Sequence, residues 1–171
     1  MKLGLVGKIC SGKDIVCELL SEKNYVLLKF SDILKEQLNI LGLENTRENL
    51  QLLANALRDA YGKDIMAKSI IKKAKNLNNV IINGIRSIGE LEALRKEGYK
   101  IVGIICDDKT RFTRLNTRKR FDKTISIEEF EKIESNRTEI EIEHLINISD
   151  IKIENNTTVE NFKENIKKLL F

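Results

Sequence analysis

The 171-residue chain has no proline, no tryptophan and one histidine, and aromatic residues make up 5 % of it. Hydrophobic residues make up 42 % and charged residues 33 %, enough for a single sizeable core and little more. No apolar run approaches the roughly 20 residues that a membrane span needs. Met1 to Gly7 leads into a glycine motif, not a cleavage site, so a cytoplasmic protein without a membrane partner is expected. Cys10, Cys17 and Cys106 form no CxxC pair and have no neighbouring histidine, which excludes a disulfide framework and a zinc site as readings. Thirty Lys and Arg against 26 Asp and Glu leave a net charge of +4, too mild for a nucleic-acid coat protein. Repeats, low-complexity linkers and composition breaks are also missing, so residues 1–171 are expected to form one domain.

What the sequence does contain is an alternation of short apolar runs with longer stretches of helical period, the pattern of βαβ units and a mostly parallel sheet. Strands are expected at Lys2 to Val6, Tyr25 to Phe30, Val80 to Asn83, Lys100 to Cys106 and Ile151 to Glu154. Helix starts are signalled by Ser31, by Ser87 with Glu90 and by Ser126 with Glu129, the last two at capping-box spacing. Leu50, Leu53, Leu57 and Tyr61 share one helical stripe; Val159, Phe162, Ile166 and Leu169 share another. The stretch from about Lys35 to Asn79 is long for one crossover and is expected to hold two or three inserted helices where substrate specificity resides.

The strongest motif is Gly7-Lys8-Ile9-Cys10-Ser11-Gly12-Lys13-Asp14, directly after the first strand and opening a helix at Asp14-Ile15. It fits GxxxxGK followed by a polar residue. Glycines let backbone N–H groups close on phosphate oxygens, the helix N-terminus adds positive potential, and Lys13 would reach the terminal phosphates. Gly7, Ile9, Cys10, Ser11, Gly12, Lys13, Asp14 and Ile15 are the candidate ATP-binding residues; the competing reading is an ordinary glycine-rich βα turn. Asp14 stands where most such loops carry a magnesium-binding hydroxyl, so Asp14 is a candidate metal ligand and Mg2+ dependence is expected. Asn83 closes the third apolar run where Asp is usual and could orient a metal-bound water, or be only a turn residue.

Together these segments resemble the P-loop nucleoside monophosphate kinases, with GKICSGKD similar to phage-type deoxynucleoside monophosphate kinases and archaeal adenylate-kinase-like proteins. The resemblance implies a three-layer α/β P-loop fold: a five-stranded parallel sheet in order 2-3-1-4-5, flanked by helices, with a short basic lid at about 114–127. Phe30 to Lys35 resembles the stretch that leads into the acceptor-holding helix of adenylate kinases, with Lys35 where an arginine stands. By the same resemblance Asp32, Lys35, Arg58 and Arg86 would seat the acceptor, Asp32 serving equally well as a helix-start acid. Ser149 to Asn156 resembles the last strand of dephospho-CoA kinases, which puts Asn155 near the ATP base.

From Arg111 to Lys123 the chain carries six cations and one acid, Asp122, with Arg114 and Arg118 at four-residue spacing. Transferred phosphoryl groups spread charge over their oxygens, which cations stabilise once water is excluded. Arg120-Phe121-Asp122 is similar to an adenylate-kinase lid motif, and Arg137 lies where that family places a further arginine. Lys13, Arg114, Arg118, Arg120 and Arg137 are therefore the candidate catalytic residues; a solvated helix face and a nucleic-acid patch are the competing readings. His144 reads as structural or solvent-facing, and Cys10 as a small filler of the loop. The expected activity is transfer from ATP to a nucleoside or deoxynucleoside monophosphate, a small-molecule acceptor. A dephospho-CoA-kinase-like enzyme is the alternative, although that family's His-Pro cannot occur here, and so is a regulatory NTP-binding protein.

Overall fold

The computed structural model describes residues 1–117, 124–135 and 137–170, with the side chains of Arg47 and of residues 137–140 outside that description. Five strands alternate with helices: β1 (Lys2–Gly7), α1 (Lys13–Ser21), β2 (Val26–Lys29), α2 (Phe30–Ile40), α3 (Arg47–Tyr61), α4 (Ile65–Lys73) and β3 (Val80–Asn83). They are followed by α5 (Ile88–Lys96), β4 (Lys100–Ile105), α6 (Asp108–Thr117), α7 (Ile127–Glu134), α8 (Arg137–Asn147), β5 (Ile151–Glu154) and α9 (Val159–Leu170). The sheet order is β2-β3-β1-β4-β5, all parallel, as the resemblance implied.

Strand periodicity sorts the core into two layers. Leu3, Leu5, Ile81, Val102, Ile104 and Ile153 face α1 and α9, where Val16, Leu20, Phe162 and Ile166 cover them. Val6, Val80, Ile82 and Ile101 face the other way, onto α2 to α5 and α8. Strands buried on both faces must be apolar throughout, which is why β1 and β3 read as continuous runs. Among the described residues no helix is long and apolar enough to cross a membrane.

Three helices, α2 to α4, occupy the stretch between β2 and β3. Several boundaries and faces differ from expectation. β2 stops at Lys29 and Phe30 opens α2, its side chain buried in the core, so Ser31 sits inside the first turn and caps nothing; the N-cap is Lys29. Tyr61 is 68 % exposed because its stripe ends at the last turn of α3, where Gly62 turns the chain. On α9 the buried line is Phe162, Ile166 and Leu170, four residues apart, which rotates Val159 and Leu169 into solvent.

Candidate functional site

β1 has a strand on either side, so its carboxyl end sits mid-sheet, where crevices form in open α/β folds. The loop from Lys8 to Gly12 leaves that end and turns back into α1. Cys10 (φ 58°) and Gly12 (φ 104°) take left-handed conformations that fold the loop over itself. A Cβ on Gly12 would lie 2.2 Å from Asn155 Nδ2, so the position requires glycine twice over.

The loop carbonyls are held by named donors. Lys13 Nζ donates to Gly7 O at 2.5 Å and Lys8 O at 2.8 Å. Arg111 Nη1 donates to Ile9 O at 3.4 Å, and Asn155 Nδ2 to Ser11 O at 2.7 Å. A trans peptide points the next N–H opposite to its carbonyl, so anchoring these oxygens in the protein turns the amides of the loop the other way. No side chain caps α1, whose first-turn N–H groups continue the same cradle. Such an array suits an anion with several oxygens.

Two buried oxygens in this region, Ser11 Oγ and Asn83 Oδ1, have no hydrogen-bond partner within the described protein. Asn83 ends β3 in register with Leu5 and Lys29. Asp14 is exposed on the first turn of α1, beside a hollow that Cys17, Glu18 and Lys29 also line. No three His, Cys, Asp or Glu among the described residues converge as a metal cage. The Asp14 carboxylate and the unpartnered Asn83 and Ser11 oxygens are donors of the hard type that Mg2+ takes one or two at a time, completing its shell with phosphates and water. Burial pushes the Cys17 thiol up to about 11, which keeps it protonated beside Asp14 and Asn83.

Arg114 reaches from α6 to the same loop system: its Nη2 donates to Asn155 Oδ1 at 3.2 Å and its Nη1 to Cys106 Sγ at 3.3 Å. The structure therefore brings together the loop, Asn155 and Arg114. Arg118 and Arg120 lie outside the described residues, as does the Arg137 side chain. Of the expected lid, the flanks lie among the described residues: 114–117 belongs to α6, and Ser126 caps α7 in a complete capping box with Glu129. Asn116 joins the flanks, accepting from Ile125 N at 2.9 Å and donating to Ile125 O at 3.2 Å. Arg111, counted in the basic cluster from sequence, is fully buried and paired with Asp108 and Glu134. His144 is exposed on α8.

The acceptor candidates fall into two groups. Arg58 donates to Glu90 Oε1 from Nη2 at 2.8 Å and from Nε at 3.3 Å, while Arg86 N donates to Glu90 Oε2 at 2.8 Å. Glu90 is fully buried, and its one carboxylate holds the Arg58 guanidinium and the Arg86 backbone amide. Its side chain is thereby drawn away from Ser87, and the expected capping box is half made: Ser87 Oγ accepts from Glu90 N alone. Asp32 and Lys35 sit on α2, half exposed, 4.0 Å apart.

Sequence reasoning missed Glu90 as an anchor, and it missed the group formed by Lys8, Arg111 and Glu134. Burial disfavours the Glu134 carboxylate, yet hydrogen bonds from Arg111 and Lys8 hold its carboxyl below the usual range. Burial likewise opposes the Lys8 charge, and the bonds to Glu134 and Glu143 outweigh it, raising its ammonium above the usual value.

A family model described as an AAA domain matches residues 3–143. A UPF0200 protein of Methanococcus vannielii is 34 % identical over 99 % of this chain and 95 % of its own length. A UPF0200/UPF0201 protein of Archaeoglobus fulgidus is 31 % identical over 98 % of this chain, which spans 54 % of that relative. Among solved structures, shikimate kinase from Aquifex aeolicus superposes with a TM-score of 0.60 at 20 % identity, covering 99 % of this chain and 94 % of that one. That likeness establishes the fold.

Proposed function

Since this chain belongs to the AAA-domain family and to the UPF0200 proteins, P-loop NTPases of kinase-like fold, we propose that it transfers the γ-phosphoryl of ATP to a nucleoside or deoxynucleoside monophosphate. The observation that carries the reading is the loop whose carbonyls are anchored outward at the carboxyl end of the central strand, with Lys13 folded across it. Gly7, Ile9 to Gly12 and Ile15 line the cradle, with the Ser11 and Ile15 amides already donating to Lys8 O and Gly12 O. Asn155 and Arg114 border it on the side expected for the base.

An acceptor phosphate oxygen attacks the γ-phosphorus in line, a new P–O bond forms, the bond to the β-phosphate oxygen breaks, and ADP leaves. Lys13 swings from its carbonyls onto the β and γ oxygens. Arg58, whose guanidinium Glu90 holds, and Arg86, whose backbone amide it holds, bind the acceptor phosphate, with Lys35 and Asp32 completing the acceptor set. Arg118, Arg120 and Arg137 neutralise charge on the transferred group, while Arg114 stays with Asn155 on the base side. Asp14, and Asn83 through water, would hold Mg2+, which supplies charge neutralisation between the phosphates. Positioning and electrostatics suffice for this chemistry.

The test is ADP release from ATP and magnesium across ribo- and deoxyribonucleoside monophosphates and dephospho-CoA, each against an acceptor-free control. Stimulation by one monophosphate is expected and names the acceptor. Stimulation by dephospho-CoA alone, or hydrolysis indifferent to every acceptor, would overturn the assignment.

A further inference from the structure

One charge network uses residues to which the proposed chemistry gives no role. Lys8 Nζ donates to Glu134 Oε2 and to Glu143 Oε2, each at 3.0 Å. Arg111 grips the same Glu134 with both Nη groups at 2.7 Å, donates to Asp108 Oδ1 at 2.5 Å, and lies 5.3 Å from the Phe130 ring centroid. Its Nη1 also reaches Ile9 O. One carboxylate, at the end of α7 and 13 % exposed, thus holds two cations; one belongs to the phosphate loop and the other grips a loop carbonyl.

We infer that Glu134 is a positioning residue for the nucleotide: through Lys8, and through Arg111 to the Ile9 carbonyl, it fixes the direction of the loop amides. Stability alone is a weak reason for such a network, because buried ion pairs are often replaceable by apolar groups at little cost. Geometry is a better one. The bidentate fork of Arg111 fixes an angle as well as a distance. Cys10, next to the anchored Ile9 and the anchored Ser11, is a non-glycine residue at φ 58°, a conformation that persists where its surroundings over-determine it. Glu134 therefore links the helices that flank the basic segment to the loop expected to grip the triphosphate.

The role rests on the nucleotide-binding reading above. Its test is calorimetric titration of the whole chain with ATP and magnesium for the wild type, Lys8→Met, Glu134→Gln and the double variant. Melting curves and the KM for the stimulating acceptor are measured beside it. Each single variant is expected to weaken ATP binding by about 5- to 30-fold, and the double variant to fall no further than the weaker single. The acceptor KM should not move. Unchanged ATP affinity in folded variants, including a lowered melting temperature alone, would overturn the inference, as would losses that multiply in the double variant. Lys8→Met leaves the Glu134–Arg111 pair intact, so it decides the question even if Glu134→Gln does not fold. A wild type that binds no ATP would instead overturn the nucleotide reading itself.

Discussion

Replacing Lys13 by methionine is expected to lower kcat/KM by about 100- to 1,000-fold, the usual effect of deleting one donor aimed at developing charge. Steady-state kinetics with the stimulating acceptor measures it, and a variant of normal turnover would sink the assignment of Lys13. The same residue shows which single-residue facts a sequence displays. GKICSGKD is local, and its glycines and lysine are recognisable from spacing. Glu90 and Glu134 are not, because Arg58 lies 32 positions from the first and Lys8 lies 126 from the second. A glutamate on a polar helix looks solvated until folding brings a cation to it, and only burial separates the two cases.

At the scale of elements, the caps separate local chemistry from tertiary demand. Ser126 makes a complete capping box with Glu129, so Ser126→Ala should destabilise the protein by about 1 kcal/mol in urea unfolding. Ser31→Ala should change stability by less than about 0.5 kcal/mol, since Ser31 caps no helix. Equal losses would refute the distinction. All five strands were legible from apolar runs bounded by turn residues, and their order came from the family resemblance. Helix ends and faces were less legible. Phe30 is drawn into the core one residue earlier than the Ser31 signal suggests, and the buried line on α9 ends at Leu170 instead of Leu169.

The whole molecule responds to pH through the group at Glu134, where Lys8, Arg111, Asp108 and Glu143 meet. A carboxyl held below its ordinary value of 4.5 adds stability above that pH and loses it as pH falls through the lowered value. Lys8, raised above 10.5, behaves in the opposite sense and matters only on the alkaline side. The melting temperature of the wild type should therefore exceed that of Glu134→Gln at pH 7, with the gap narrowing below about pH 4.5. A gap that stays constant down to pH 3 would count against the ionised network.

The central place of β1 also sets a timetable for biosynthesis. Lys2 pairs with Val80 and Leu3 with Lys100, so β1 leaves the ribosome with both of its neighbours far behind it. At about 5–20 residues per second, roughly five to twenty seconds pass before its second neighbour has been made. For most of that interval the apolar ribbon Leu3-Gly4-Leu5-Val6 waits without a partner. The phosphate loop that hangs from it can reach its final place only after β4 has been made.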